Sequence, residues 1–292
     1  MRFDQVAEST FRVLDKCTDD LRQENPWHWI SNVRNGAVLQ MESRLVEGFL
    51  QLASCSESTL RSVAELELAL LGNSALPGGI GLALGPASRG LHMRADIALP
   101  LETTLDEERL RHRLKWTLGG FHDGVELINS LGLYAGPISP PADAASDGGL
   151  AELVRACTWK CEERGPNDFV AVLDSGTEPA ARIRATEHGV LLSVELGRVE
   201  SSAAASRAGL AVFMLTAGGL LRMARPYALE TETGWGFGFR VCLRGNPEPQ
   251  EIDHGLAALS IAHQSTAREA RALLDEPTAR CYLAARAIPT TN

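Results

Sequence analysis

One segment constrains this chain more than any other. Gly136-Pro137-Ile138-Ser139-Pro140-Pro141-Ala142-Asp143-Ala144-Ala145-Ser146-Asp147-Gly148-Gly149 can continue neither a helix nor a central strand. Its prolines lack amide donors and its glycines and small polar residues favour open backbone. It reads as a linker, and it splits the 292 residues into nearly equal parts. The expected organisation is an N-terminal domain at 1–135, the linker at 136–149 and a C-terminal domain at 150–292, each of ordinary domain size.

The two parts carry the same order of periodicities. In the first, Phe3, Val6, Ala7, Thr10, Leu14, Cys17 and Leu21 keep a helical spacing that Pro26 ends. Strands are expected at Trp27–Val33, Ala37–Glu42 and Leu45–Cys55, with Arg34-Asn35-Gly36 as a hairpin turn. A helix over Ser58–Leu71 follows, then strands at Ile80–Leu84 and Leu91–Leu99. A last helix starts near Leu105, with Thr104 and Glu107 as its capping box. In the second part, Leu150 to Cys161 spaces as a helix, and strands are expected at Phe169–Leu173, Ala181–Thr186 and Val190–Leu196. An apolar helix over Ala203–Met223, strands at Tyr227–Glu232 and Trp235–Leu243, and a helix over Ile252–Leu274 that Pro277 ends complete it. Each half thus reads α-β-β-β-α-β-β-α, an α+β unit written twice.

Composition narrows what such a chain does. With 45% hydrophobic and 22% charged residues it can fill a core. The net charge is -9, and residues 1–150 hold most of it, with 13 basic against 20 acidic side chains. That balance excludes a basic stripe for nucleic acid and docking on anionic lipid. The apolar stretch Ala208–Leu221 is shorter than the ~20 residues needed to span a bilayer. The start, Met1-Arg2-Phe3-Asp4, has no signal-peptide pattern. Six scattered cysteines fit reduced thiols of a cytoplasmic protein better than a disulfide scaffold.

Leu70-Leu71-Gly72-Asn73, Leu76-Pro77-Gly78-Gly79-Ile80-Gly81-Leu82-Ala83-Leu84-Gly85, Gly90-Leu91-His92-Met93-Arg94 and Ile97-Ala98-Leu99-Pro100-Leu101, followed by the helix from Leu105, resemble the class I chaperones of bacterial type III secretion. The motif segment covers Leu70–Leu131, and the element order covers nearly the whole chain. The second half matches in architecture only, with Arg240-Val241-Cys242-Leu243-Arg244 standing where the first has Asp96-Ile97-Ala98-Leu99-Pro100. The resemblance implies a small acidic cytoplasmic dimer that binds the N-terminal region of a secreted effector and presents it to the secretion apparatus. It further implies no enzymatic activity, no cofactor and no metal. A chain of this length then looks like two fused subunits, its dimer contact made intramolecular at millimolar effective concentration through a short linker. On that reading Leu66, Leu70, Leu210, Phe213 and Leu220 line the contact between halves. Trp27, Trp29, Ile80, Leu82 and Leu84 form the client-binding surface. The same fold as an adaptor without a secretion role is the alternative.

Other motifs point elsewhere. Phe169–Leu173 running into Asp174-Ser175-Gly176-Thr177 has the form of an aspartic-protease loop, which needs a second aspartate sharing its proton. The matching place in the first half reads Asn32-Val33-Arg34-Asn35-Gly36, and Asp-Ser-Gly also serves an ordinary turn. Gly79-Ile80-Gly81 and Gly234-Trp235-Gly236-Phe237-Gly238 lack the spacing of nucleotide loops. Instead they alternate bare and bulky positions, leaving one strand face open to close approach. The seven histidines and the Cys157/Cys161 pair lack the spacing of a zinc set.

Overall fold

The computed structural model describes residues 3–33, 39–46, 48–55, 58–59, 62–76, 79–85, 90–99, 105–130, 149–174, 180–186, 189–245 and 247–286. The expected turn at 34–36, the capping Thr104 and the linker residues 136–148 lie outside them, while Gly149 opens a helix. In the first unit the order is α1 (Phe3–Cys17), β1 (Thr18–Asn25), β2 (His28–Val33), β3 (Gln40–Val46), β4 (Phe49–Ser54), the short β5 (Ser58–Thr59), α2 (Val63–Gly72), β6 (Gly81–Leu84), β7 (Gly90–Ala98) and α3 (Glu107–Ser130). The second unit is α4 (Gly149–Ala156), β8 (Cys161–Gly165), β9 (Asp168–Val172), β10 (Ala180–Thr186), β11 (Gly189–Glu200), α5 (Ala204–Leu220), β12 (Arg225–Thr231), β13 (Gly234–Arg244), α6 (Pro249–Ala272) and α7 (Glu276–Ala285).

Each unit is an antiparallel sheet with helices. The first sheet runs β1-β2-β3-β4-β7-β5, with β6 also on β7, and the second runs β8-β9-β10-β11-β13-β12. Apart from the two-residue β5, the strand orders correspond. The ladders correspond residue by residue as well: Ile30 pairs Glu42 as Val170 pairs Arg182, and Arg94 lies between Ala53 and Gly81 as Arg240 lies between Ser193 and Arg225. Arg240 therefore stands at the position of Arg94, and Cys242 at that of Asp96. This corrects the sequence reading that set Arg240 against Asp96.

Each unit gains an outer strand that was not expected, and the first unit also gains the two-residue β5. β1 and β8 are the free sheet edges, and their side chains are largely exposed. An edge strand wet on both faces has no apolar alternation, so the helical spacing of its predecessor masked it. Both edges are acidic and carry register shifts, which discourages pairing with another strand. α2 starts at Val63 rather than Ser58, because Ser62 and Glu65 form its capping box. α3 starts at Glu107 and is capped by Asp106, whose carboxylate accepts from the Arg109 N–H at 3.1 Å. α7 was not expected. Pro277 sits in its first turn and Asp275 caps it, accepting from the Thr278 N–H, so the proline opens a helix.

One face of each sheet packs on its own helices. Leu91, Met93, Ala95 and Ile97 of β7 are buried, and Gly124 of α3 leaves room for the Met93 side chain. Phe237, Phe239 and Val241 of β13 are likewise buried, with α6 packed on this strand and its Gly255 close to Val241. The two central helices are different. α5 contacts β6 and α2 of the first unit, and α2 contacts β12 of the second. On its other side α5 meets α7, where Phe213 and Tyr282 touch edge-on and the Glu276 carboxylate accepts from the Ala205 and Ser206 N–H groups. Among the described residues no helix is long and apolar enough to cross a membrane.

Two glycines set apart close packing from mere helix flexibility. A Cβ on Gly219 would lie 2.6 Å from the Leu84 carbonyl oxygen of the other unit, whereas one on Gly119 would meet nothing within 4 Å. Gly219→Ala is expected to cost about 1–3 kcal/mol by forcing α5 off β6. Gly119→Ala is expected to gain about 0.5–1 kcal/mol. Urea denaturation of the two variants checks the contrast; equal effects would contradict the contact.

Candidate functional site

The buried arginines Arg225 and Arg240 lie where the units meet. On β7, Arg94 and Asp96 point away from the α3 side, because side chains alternate along a strand. The Asp96 side chain is fully buried, and its Oδ2 accepts from Arg225 at 2.7 Å and from the Met223 N–H at 2.7 Å. Arg225 is 1% exposed and also donates to the Leu221 and Ala224 carbonyls. Its side chain fills the space over Gly81, where a Cβ would lie 2.7 Å from Arg225 Cδ. Met223 takes a left-handed conformation, φ 56°, to present its N–H there.

The contact is reciprocal. Arg94 donates to the Gly219 carbonyl in the last turn of α5. Its counterpart Arg240 donates to the Ser74 and Leu76 carbonyls just beyond α2, at 2.5 and 2.6 Å. Neither α2 nor α5 has a basic residue in its own last turn. Each helix end therefore receives its compensating positive charge from the other unit's sheet. Burial lowers the Arg94 pKa, with Asp96 opposing. Asn73, fully buried after α2, serves as a stand-in peptide for β6: its side chain accepts from the Leu82 N–H at 2.7 Å and donates to the Leu82 carbonyl at 3.0 Å.

Charges at matching positions are not the same in the two units. Arg225 and Asp96 have Gly81 and Cys242 as counterparts. At the start of α3 and α6, Arg109 and Glu251 occupy the same third helical position and pair with each other at 2.7 Å. Arg113 adds a second cation on Glu251, and Glu248 takes the other side of Arg109. Two identical units would set like charges against each other here. A cleft of about 200 Å³ opens beside this cluster, floored by Ala98, Leu99, Leu105 and Leu110 and rimmed by Arg109, Arg113, Glu251 and His254.

The expected contact residues distribute unevenly over this seam. Leu66 and Leu70 are buried on α2 and Leu210 on α5. Phe213 instead faces Tyr282 of α7, and Leu220 is 67% exposed, which corrects their placement between the halves. The helical stripe that includes them turns out of the seam because α5 is covered from two sides. Of the expected client-binding residues, Trp27 is 42% exposed in the turn between β1 and β2. Trp29, Ile80, Leu82 and Leu84 are buried. Trp29 has alternated into the core, and β6 lies under α5, so these four form no surface on the closed molecule. Sequence reading missed Asp96, Arg225 and the two arginine clamps. Their only signal was charge inside otherwise apolar strands.

The remaining motifs separate on structure. Asp174 follows β9 as an exposed residue, and Ser175–Thr177 lie outside the described residues, as do Arg34-Asn35-Gly36 of the first half. Trp235, Phe237 and Phe239 face inward, Trp235 beneath the Arg207 guanidinium at 5.3 Å. Among the described residues no group of three or more His, Cys, Asp or Glu could hold a metal. Comparison with protein-family models, curated proteins and solved structures returns no match.

Two predictions follow from the charges of the seam. Asp96→Ala is expected to cost about 3–5 kcal/mol, since it strands a buried guanidinium. The double variant with Arg225→Met is expected to recover most of that loss, and a fully additive double variant in urea would contradict the pairing. Across α2 and α5, Glu67 lies 3.8 Å from Arg207. Burial holds the Glu67 carboxyl above its usual range, Arg207 opposing. A carboxyl whose pKa is raised by folding contributes stability at low pH and loses it as pH rises through the folded value. Glu67→Gln is therefore expected to be at least as stable as the native chain at neutral pH and to lose that advantage on acidification. A variant weaker at neutral pH but not in acid would reverse the sign.

Proposed function

We propose that this chain is a tandem secretion chaperone: a cytoplasmic, non-enzymatic protein that binds the N-terminal segment of a secreted effector and keeps it soluble and export-competent for a type III apparatus. The supporting observation is the doubled unit whose central helices are buried against each other's sheets. A class I chaperone dimer, on the resemblance noted above, makes such a contact between two chains, and here one chain makes it with itself. A preassembled pseudo-dimer needs no partner subunit to bury α2 and α5, so its outer surface is free for a client.

That surface differs from the one expected on sequence. With Trp29 and β6 buried, Trp27 is the anchor at the outer end of the first sheet. A half-exposed indole beside an edge strand offers a large apolar contact at small entropic cost. Client segments with apolar side chains flanked by basic ones would match Trp27 and the acidic residues Asp19, Asp20 and Glu24 of β1.

Co-expression with the secreted proteins encoded beside its gene, followed by affinity capture and limited proteolysis, tests the proposal. A stable complex protecting only the effector's N-terminal region is expected, with Trp27→Ala weakening it about tenfold or more while leaving the denaturation midpoint unchanged. Failure to hold any such segment in solution would contradict the proposal, and unaltered affinity in Trp27→Ala would contradict the anchor.

A further inference from the structure

Cys157 and Cys161 face each other with their Sγ atoms 3.8 Å apart. Cys157 follows the last turn of α4, where its thiol donates to the Val154 carbonyl at 3.0 Å. Cys161 is the first residue of the edge strand β8. Both are half-buried and reduced. The turn between them is fastened to α6, since the Thr158 N–H donates to Asp253 Oδ1 at 2.8 Å. Two thiols within van der Waals contact, on a turn held from outside and reachable from solvent, are arranged for intramolecular oxidation. The ladder register gives Cys157 and Cys161 the counterparts Cys17 and Leu21, so the first unit has one thiol and an apolar contact at this place. The feature belongs to the second unit alone.

We propose that Cys157 and Cys161 form a reversible redox site, closing to a disulfide when a small-molecule disulfide such as oxidised glutathione is present. The Cys157 thiolate attacks one glutathione sulfur, forming a mixed disulfide and expelling the other glutathione as its thiolate. Cys161, once deprotonated, attacks Cys157 Sγ and expels the second glutathione. The two protein thiols give up two electrons and two protons, and the glutathione disulfide becomes two thiols. Burial and the neighbouring Cys157 push the Cys161 thiol up to about 12. The closing step is therefore the slow one, and it speeds up as pH rises. The bond would tie the end of α4 to the start of β8 and so hold the exposed edge of the second sheet against fraying.

The sequence supplies its own readout. Arg155, Lys160 and Arg164 bracket the cysteines, so trypsin releases residues 156–160 and 161–164 as separate peptides unless a disulfide joins them. The full chain is incubated folded with oxidised glutathione, quenched by alkylation, digested and weighed. The joined pair is expected, forming about tenfold faster than in urea, because the fold and not mere sequence proximity brings the thiols together. In Cys161→Ser the same treatment is expected to leave glutathione on Cys157. Equal rates in urea and in buffer would overturn the proposal. So would glutathione on the exposed Cys55 and Cys281 with no joined pair.

Discussion

α2 and α5 are too apolar to face water, and the architecture follows from where they are hidden. Each lies against the other and against the other unit's final strand pair. Burying two such helices supplies apolar area that neither sheet could provide alone. It also buries helix ends, whose last carbonyls need donors. Arg94 and Arg240 provide them across the seam, from matching positions on β7 and β13. Hydrophobic burial sets the packing, and the arginine clamps fix its register, because a guanidinium left without carbonyls in that interior would be costly.

A seam between identical units would repeat each contact twice. This one does not. Asp96 meets Arg225, while their counterparts are Cys242 and Gly81, and Arg109 meets Glu251. Unlike charges at matching positions favour a pairing of first unit with second over like with like. The linker expected at 136–149 then joins two halves that already prefer one another. α7 adds a further asymmetry, covering the side of α5 that α2 does not reach.

Sequence periodicity delivered the doubled α+β plan, the main helices and the alternation of bare and bulky positions along β13, because those elements have one apolar side. It failed where exposure or context decides. β1 and β8 are wet on both faces and carry no alternation, so they read as helix tails. Pro277 read as a stop although Asp275 and Thr278 around it carry the signature of a start. The site was less legible. An apolar run such as Ile80–Leu84 reads the same whether it meets a client or another part of its own chain, and only the placement of α5 separates the two. Asp96 and Arg225 lie far apart in sequence, and nothing local announces that they meet.

The seam between the two units forms within one chain. Amide hydrogen exchange at Met223, whose N–H is donated to Asp96 in the other unit, tests it most directly when read together with light scattering across a dilution series. A particle of 31.4 kDa is expected, in which this amide exchanges as slowly as the sheet cores at every concentration. A heavier particle that loses Met223 protection on dilution, or a free Met223 amide beside two protected sheets, would contradict it.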